Sequence, residues 1–169
     1  MAKRKNKEEV KTPRILLFGY GNPGRQDDGL GNEFIYQIER WIEREGLKGI
    51  DTDSSYQLNI EDADAIAQKD IVVFIDASTE NIADFLLTRV DPSDAHASFS
   101  MHSVSASFVL SLCQKLYNKY PLTFMLHIKG YEWELKEGLT PMAEKNLTRA
   151  LDFIKSKIKN PPSFTEMNQ

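Results

Sequence analysis

Apolar residues along this chain fall into two alternating rhythms. Dense short runs occur at 14–19 (RILLFG), 70–77 (DIVVFIDA) and 122–130 (LTFMLHIKG), and each predicts a strand. The unbroken run at 70–77 suits a strand buried on both faces. Between these runs the spacing changes to three and four. Leu30, Phe34, Ile35, Ile38, Trp41 and Ile42 predict a helix over 29–46. Val104, Phe108, Leu112 and Leu116 predict another over 103–118, with a serine at its start. Leu147, Leu151, Ile154 and Ile158 give a last helix, with Thr140 as N-cap and Pro141 in its first turn. Weaker patterns add a strand near 49–56, a short helix over 60–68 and an edge strand over 85–91.

The order is β-α-β-α-β-β-α-β-α. Such alternation predicts a mostly parallel five-stranded sheet in a three-layer α/β/α sandwich. The expected organisation is a basic, disordered tail over 1–13, one domain over 14–158 and a C-terminal tail over 159–169. Ligands of such sheets bind beyond the carboxyl ends of the strands, so the chemistry is sought there.

Composition narrows the classes. The 169 residues suffice for one domain with a real core, and no apolar run reaches the ~18 residues of a membrane span. The basic start lacks the apolar stretch of a signal peptide, and the lone Cys113 has no disulfide partner. A cytoplasmic monomer is expected. Residues 1–14 carry a net charge of +4 within a total of −4, leaving −8 on the remainder. That acidic body argues against nucleic acid as a partner.

Polar residues gather at the predicted strand ends. Asn22, Asp27 and Asp28 follow the first strand, and Asp76 ends the third. His102 precedes a helix, and His127 lies near the end of the last strand. Two carboxylates and an imidazole suit a divalent transition metal with positions left open. Each residue also has a plainer use: Asp28 and Asp76 as turn or first-turn caps, His102 as a helix-start residue, His127 as a buried, hydrogen-bonded side chain. Cys113 reads as a small buried hydrophobe.

The stretch GYGNPGRQDDGLG (19–31) also matches G-x-G-x-x-G over 19–24. A phosphate cradle is a poor fit. Asp27 and Asp28 would set negative charge at the helix start, and Pro23 has no amide to donate. An acidic residue is expected about 20 positions on, whereas Asp51 and Asp53 come nearly 30 after Gly24. The glycines are better read as a tight turn presenting carboxylates to a cation.

The same stretch resembles the N-terminal signature of the hydrogenase maturation proteases, G-x-G-N-x-x-x-x-D-[DE]-x-x-G. The closing LKEGLTPMAEKNLTRAL resembles their GLTP helix start, and the likeness runs over roughly 14–158. It implies an endopeptidase that cuts a C-terminal peptide from the nickel-loaded precursor of a nickel–iron hydrogenase large subunit. It also implies a metal set of Asp28, Asp76 and His102. The nickel would come with the substrate, and cadmium or zinc could take its place in vitro. Asn22, Gln57, Glu61 and His127 are candidates for contact with the substrate. Where many relatives carry GGT after the second strand, this chain has DSSYQLNIEDA, which resembles a subgroup serving bidirectional or NAD-linked hydrogenases. Tyr56 in that segment suits either the cleft or the core.

Two alternatives stand beside this reading. GNPG after a strand also resembles peptidyl-tRNA hydrolase, but the T-R-H-N continuation is missing and the first histidine here is His96. A non-catalytic metal- or precursor-binding module would use the same three ligands.

Overall fold

The computed structural model describes residues 11–93 and 104–167. His96 and His102 lie outside them, as does most of the basic N-terminal tail. The chain forms β1 (Ile15–Tyr20), a 3-10 turn (Gln26–Gly29), α1 (Leu30–Glu45), β2 (Ile50–Ser55) and α2 (Asp62–Ala67). There follow β3 (Ile71–Ser78), β4 (Phe85–Arg89), α3 (Ala106–Tyr117), β5 (Leu122–Lys129), α4 (Pro141–Lys159) and a closing 3-10 turn (Pro161–Met167).

The five strands lie in the order β2-β1-β3-β5-β4, and only β4 runs antiparallel to its neighbour. The mostly parallel sheet predicted from the alternation is therefore present, with β4 at an edge. Strand alternation divides the core. Leu17, Val73, Ile75, Phe124 and Leu126 face α1 and α4 on one side. Leu16, Phe18, Val72 and Phe74 face α2 and α3 on the other. β1 connects through α1 to β2 on one side, and the chain then crosses through α2 to β3 on the other side of β1. The carboxyl ends of β1 and β3 thus flank the switch point, where such sheets open a crevice.

Helix ends follow the local chemistry. Thr140 caps α4 by accepting from the Ala143 amide, and Pro141 opens the helix without an amide to waste. Leu147, Leu151, Ile154 and Ile158 are all buried. Ser105 caps α3 by accepting from the Phe108 amide. The α3 stripe differs from the predicted one. Ala106, Val109, Leu110 and Cys113 are buried, whereas Leu116 is 66% exposed. The four buried residues pack with Leu16, Phe18, Val72 and Phe74 of the sheet and Ala63, Ile66 and Ala67 of α2.

The segment after α4 is also more than a tail. Its 3-10 turn buries Phe164 completely, 5.7 Å from the Phe124 ring. Lys157 ties the turn down by donating to the Ser163 carbonyl at 3.1 Å. Phe164→Ala is expected to cost about 3–5 kcal/mol, read as a lowered urea midpoint, because the emptied site is walled by the sheet. An unchanged midpoint would show that the turn adds nothing to the core.

Candidate active site at the carboxyl end of the sheet

The turn after β1 is close-packed backbone. A side chain at Gly19 would strike the Gly31 carbonyl, and one at Gly21 (φ 149°) would strike the Asp28 carbonyl. Only glycine lets the strand end and the helix start approach so closely. The amides in the turn are committed internally. Gly21 donates to the Ser55 carbonyl, Asn22 to Asp28 Oδ2, Gly24 to Asn22 Oδ1 and Arg25 to the Asn22 carbonyl. Gln26 and Asp27 donate to the carbonyls of Lys136 and Glu132. A phosphate cradle needs free amides, so the dinucleotide match is one of glycine spacing alone.

The two adjacent aspartates do different work. Asp27 is fully buried and accepts from the amides of Tyr131 (2.7 Å), Glu132 (3.2 Å) and Thr140 (2.8 Å), and from the Thr140 hydroxyl (2.8 Å). It welds the turn to the start of α4. Asp28 is half-buried and held by the Asn22 amide at 3.0 Å. It stands near enough to Asp76 for its charge to act there.

Asp76 lies two residues before the end of β3, which runs on to Ser78 beyond the predicted strand end, on the face that also carries Tyr20 of β1. Burial, and after it the Asp28 charge, push its carboxyl up to about 7. The Ala77 amide and the Tyr20 hydroxyl oppose that rise by hydrogen bonding to the carboxylate. The Tyr20 phenol is in turn held well above its usual range by burial and by Asp76. Two carboxylates that repel one another in a partly dry crevice form a pair whose tension a cation relieves. Among the described residues no three His, Cys, Asp or Glu side chains are grouped to hold an ion, so the pair needs a further donor. His102, the third predicted ligand, lies outside the described residues.

The other predicted residues lie about this rim. Asn22 spends its side-chain oxygen on the turn, and its amide holds Asp28. His127 is the register partner of Asp76 on β5, and its Nε2 lies 2.9 Å from Thr88 Oγ1. Burial holds its imidazole below the usual pKa, against the pull of Glu80. Gln57 is half-buried and Glu61 exposed in the connection from β2 to α2. Tyr56 is 74% exposed, which removes it from the core. Tyr20 was missed as a site residue. Strand alternation signals it, since Leu16, Phe18 and Tyr20 share one face.

No protein-family model matches the chain. A Methanocaldococcus jannaschii protein named, provisionally, as a hydrogenase maturation protease is 27% identical over 160 residues, covering 89% of this chain and 99% of that protein. The NiFe hydrogenase maturation protease HycI of Thermococcus kodakarensis superposes with a TM-score of 0.69 at 21% identity, over 90% of this chain and 96% of that one. The fold is that of the hydrogenase maturation proteases. The Escherichia coli hydrogenase maturating endopeptidase HybD shares this fold with a TM-score of 0.67 at 18% identity, over 88% of this chain and 93% of that one. Within the hydrogenase maturation protease fold, the motif-bearing turn of this chain sits at the switch point, with Asp28 close enough for its charge to act on Asp76.

Proposed function

We propose that this protein is an endopeptidase that removes a C-terminal peptide from the nickel-loaded precursor of a hydrogenase large subunit. Asp28, Asp76 and His102 grip the substrate's nickel. The observation that carries this is the Asp28–Asp76 pair, two acids from distant parts of the chain near enough at the switch point for one charge to act on the other. The similarity to proteins named for this activity supports it.

Each part of the rim then has a role. The Asn22 amide fixes Asp28, and Tyr20, held by Met125 Sδ, lies on the same face as Asp76. Gln57, Glu61 and His127 line the approach and contact the precursor. A divalent ion held by Asp28, Asp76 and His102 would supply a Lewis acid able to polarise a scissile carbonyl or activate a water. Ligation requires Asp76 ionised, so binding near neutral pH displaces its proton. The nickel arrives with the precursor, and cadmium or zinc occupies the grip in vitro. No helix among the described residues is long and apolar enough to cross a membrane. A cytoplasmic monomer acting on a folded precursor is the form proposed.

The test is to incubate the purified chain with nickel-loaded precursor and weigh the products. Release of a C-terminal peptide is expected from the wild type and from neither Asp28→Asn nor His102→Ala, with both variants folded. Binding of the precursor without release would make the protein a binding module. Full processing by Asp28→Asn would remove the metal assignment.

A further inference from the structure

Residues 130–139 leave β5 and run alongside the turn that carries Asp28 before α4 begins. A side chain on Gly130 would press into the Asp27 side chain and the Trp133 ring, so the two segments are closely packed there, and the Asp27 amide donates across to the Glu132 carbonyl. Gln26 does much of the fastening. Its amide N–H donates to the Lys136 carbonyl at 2.9 Å. Its side-chain Oε1 accepts from the Glu134 amide at 3.1 Å, and its Nε2 donates to Glu132 Oε2 at 3.1 Å. Arg25 adds a longer bond to the Trp133 carbonyl.

Gln26 is only 4% exposed and holds a φ of +46°, in the left-handed region that side chains disfavour. A buried glutamine kept in that state, with both ends of its amide spent on one neighbouring segment, is retained by that segment. Asp28 follows two residues later in the same 3-10 turn. Asp76, by contrast, is fixed by the sheet between β1 and β5. Of the two carboxylates, the one on the turn depends on how that turn is set.

We propose that Gln26 is a positioning residue: its side-chain amide, gripping Glu132 and the Glu134 backbone, sets the turn so that Asp28 stands opposite Asp76. This rests on reading the acidic pair as a cation grip. The bond between Gln26 and Glu132 allows an exchange test. Gln26→Glu sets two carboxylates face to face. Glu132→Gln alone keeps a contact, because an amide oxygen still accepts from Gln26 Nε2. The double variant restores the bond with donor and acceptor reversed. Gln26→Gly is the control for strain, since it accepts the backbone angle and cuts the side-chain tie.

A nickel(II) salt alone is titrated into each full-length chain by calorimetry well below the unfolding temperature, with Tm recorded alongside. Gln26→Glu and Gln26→Gly are expected to bind about 10–100-fold more weakly, the usual effect of losing an outer-shell support. Glu132→Gln and the double variant are expected to bind as the wild type does. A merely structural role lowers Tm and leaves Kd unmoved. Wild-type affinity in folded Gln26→Glu, or weakened affinity that Glu132→Gln does not restore, overturns the positioning role and leaves the proposed function standing. A wild-type chain that binds no nickel removes the cation grip and this inference with it.

Discussion

Asp76→Asn is expected to give a protein that is more stable than the wild type at neutral and alkaline pH, yet releases no peptide from the precursor. The two effects share one cause. In the native state the Asp76 carboxyl titrates near 7, against about 3.8 when exposed, so the folded chain binds that proton more tightly than the unfolded chain. The stability this contributes is complete below pH 3.8, drains away as pH rises toward 7, and is gone above it. The full span of that shift corresponds to about 4 kcal/mol, and the partial solvent contact of the group reduces it to roughly 2–3 kcal/mol. Asparagine has nearly the same size and shape, and it carries no charge to repel Asp28. Urea unfolding at several pH values between about 4 and 8 gives the comparison. The wild-type curve should fall across that range relative to the variant, with the gap widest above 7. Parallel curves would mean that Asp76 is not the strained acid of this pair. The lost activity follows because the amide cannot replace an anionic oxygen in gripping a divalent ion. Stability given up at the pair is thus tied to its capacity for a cation.

Much of this arrangement was legible in the residues, and the parts that were not have physical reasons. β3, α1 and α4 stand where their patterns predict them, because β3 is an unbroken apolar run and each helix has a long apolar stripe of a single period. The stripe of α3 was misassigned because its sequence, ASFVLSLCQKLY, has apolar residues all round the helix. Several stripes fit, and packing against α2 and the sheet selected the one with Ala106 and Cys113. Phe164 follows two prolines in a stretch too short to show a period, so nothing local announces its burial. The strand ends gave the site, because parallel topology brings the ends of β1 and β3 together whatever the loops contain. The division of labour between Asp27 and Asp28 has no local signature. It is decided by donors more than 100 residues further along the chain.

Those donors make Asp27→Ala the most destabilising single change expected in this protein. Removal of the fully buried carboxylate strands three amides and the Thr140 hydroxyl, all of them partly buried. A buried donor left without a partner costs about 1–3 kcal/mol, and the loss of a whole buried network about 3–5 kcal/mol. That is a large share of the roughly 5–15 kcal/mol that holds a typical domain together. Asp27→Asn should cost less, about 1–3 kcal/mol. Its oxygen can take the place of Oδ2, which accepts from Tyr131, Glu132 and the Thr140 hydroxyl, leaving only the Thr140 amide opposed by an NH2 group. The expected order in urea midpoint is wild type, then Asn, then Ala. Amide exchange at Tyr131 and Thr140 should accelerate in the same order. An alanine variant as stable as the wild type would mean that segment 130–139 holds its place without the aspartate. The turn bearing Asp28 would then owe its setting to Gln26, to Arg25 and to the backbone bond from residue 27 to Glu132. If the order holds, the two neighbouring acids are separable by experiment: loss of Asp27 unfolds the chain, whereas loss of Asp28 leaves it folded and inactive.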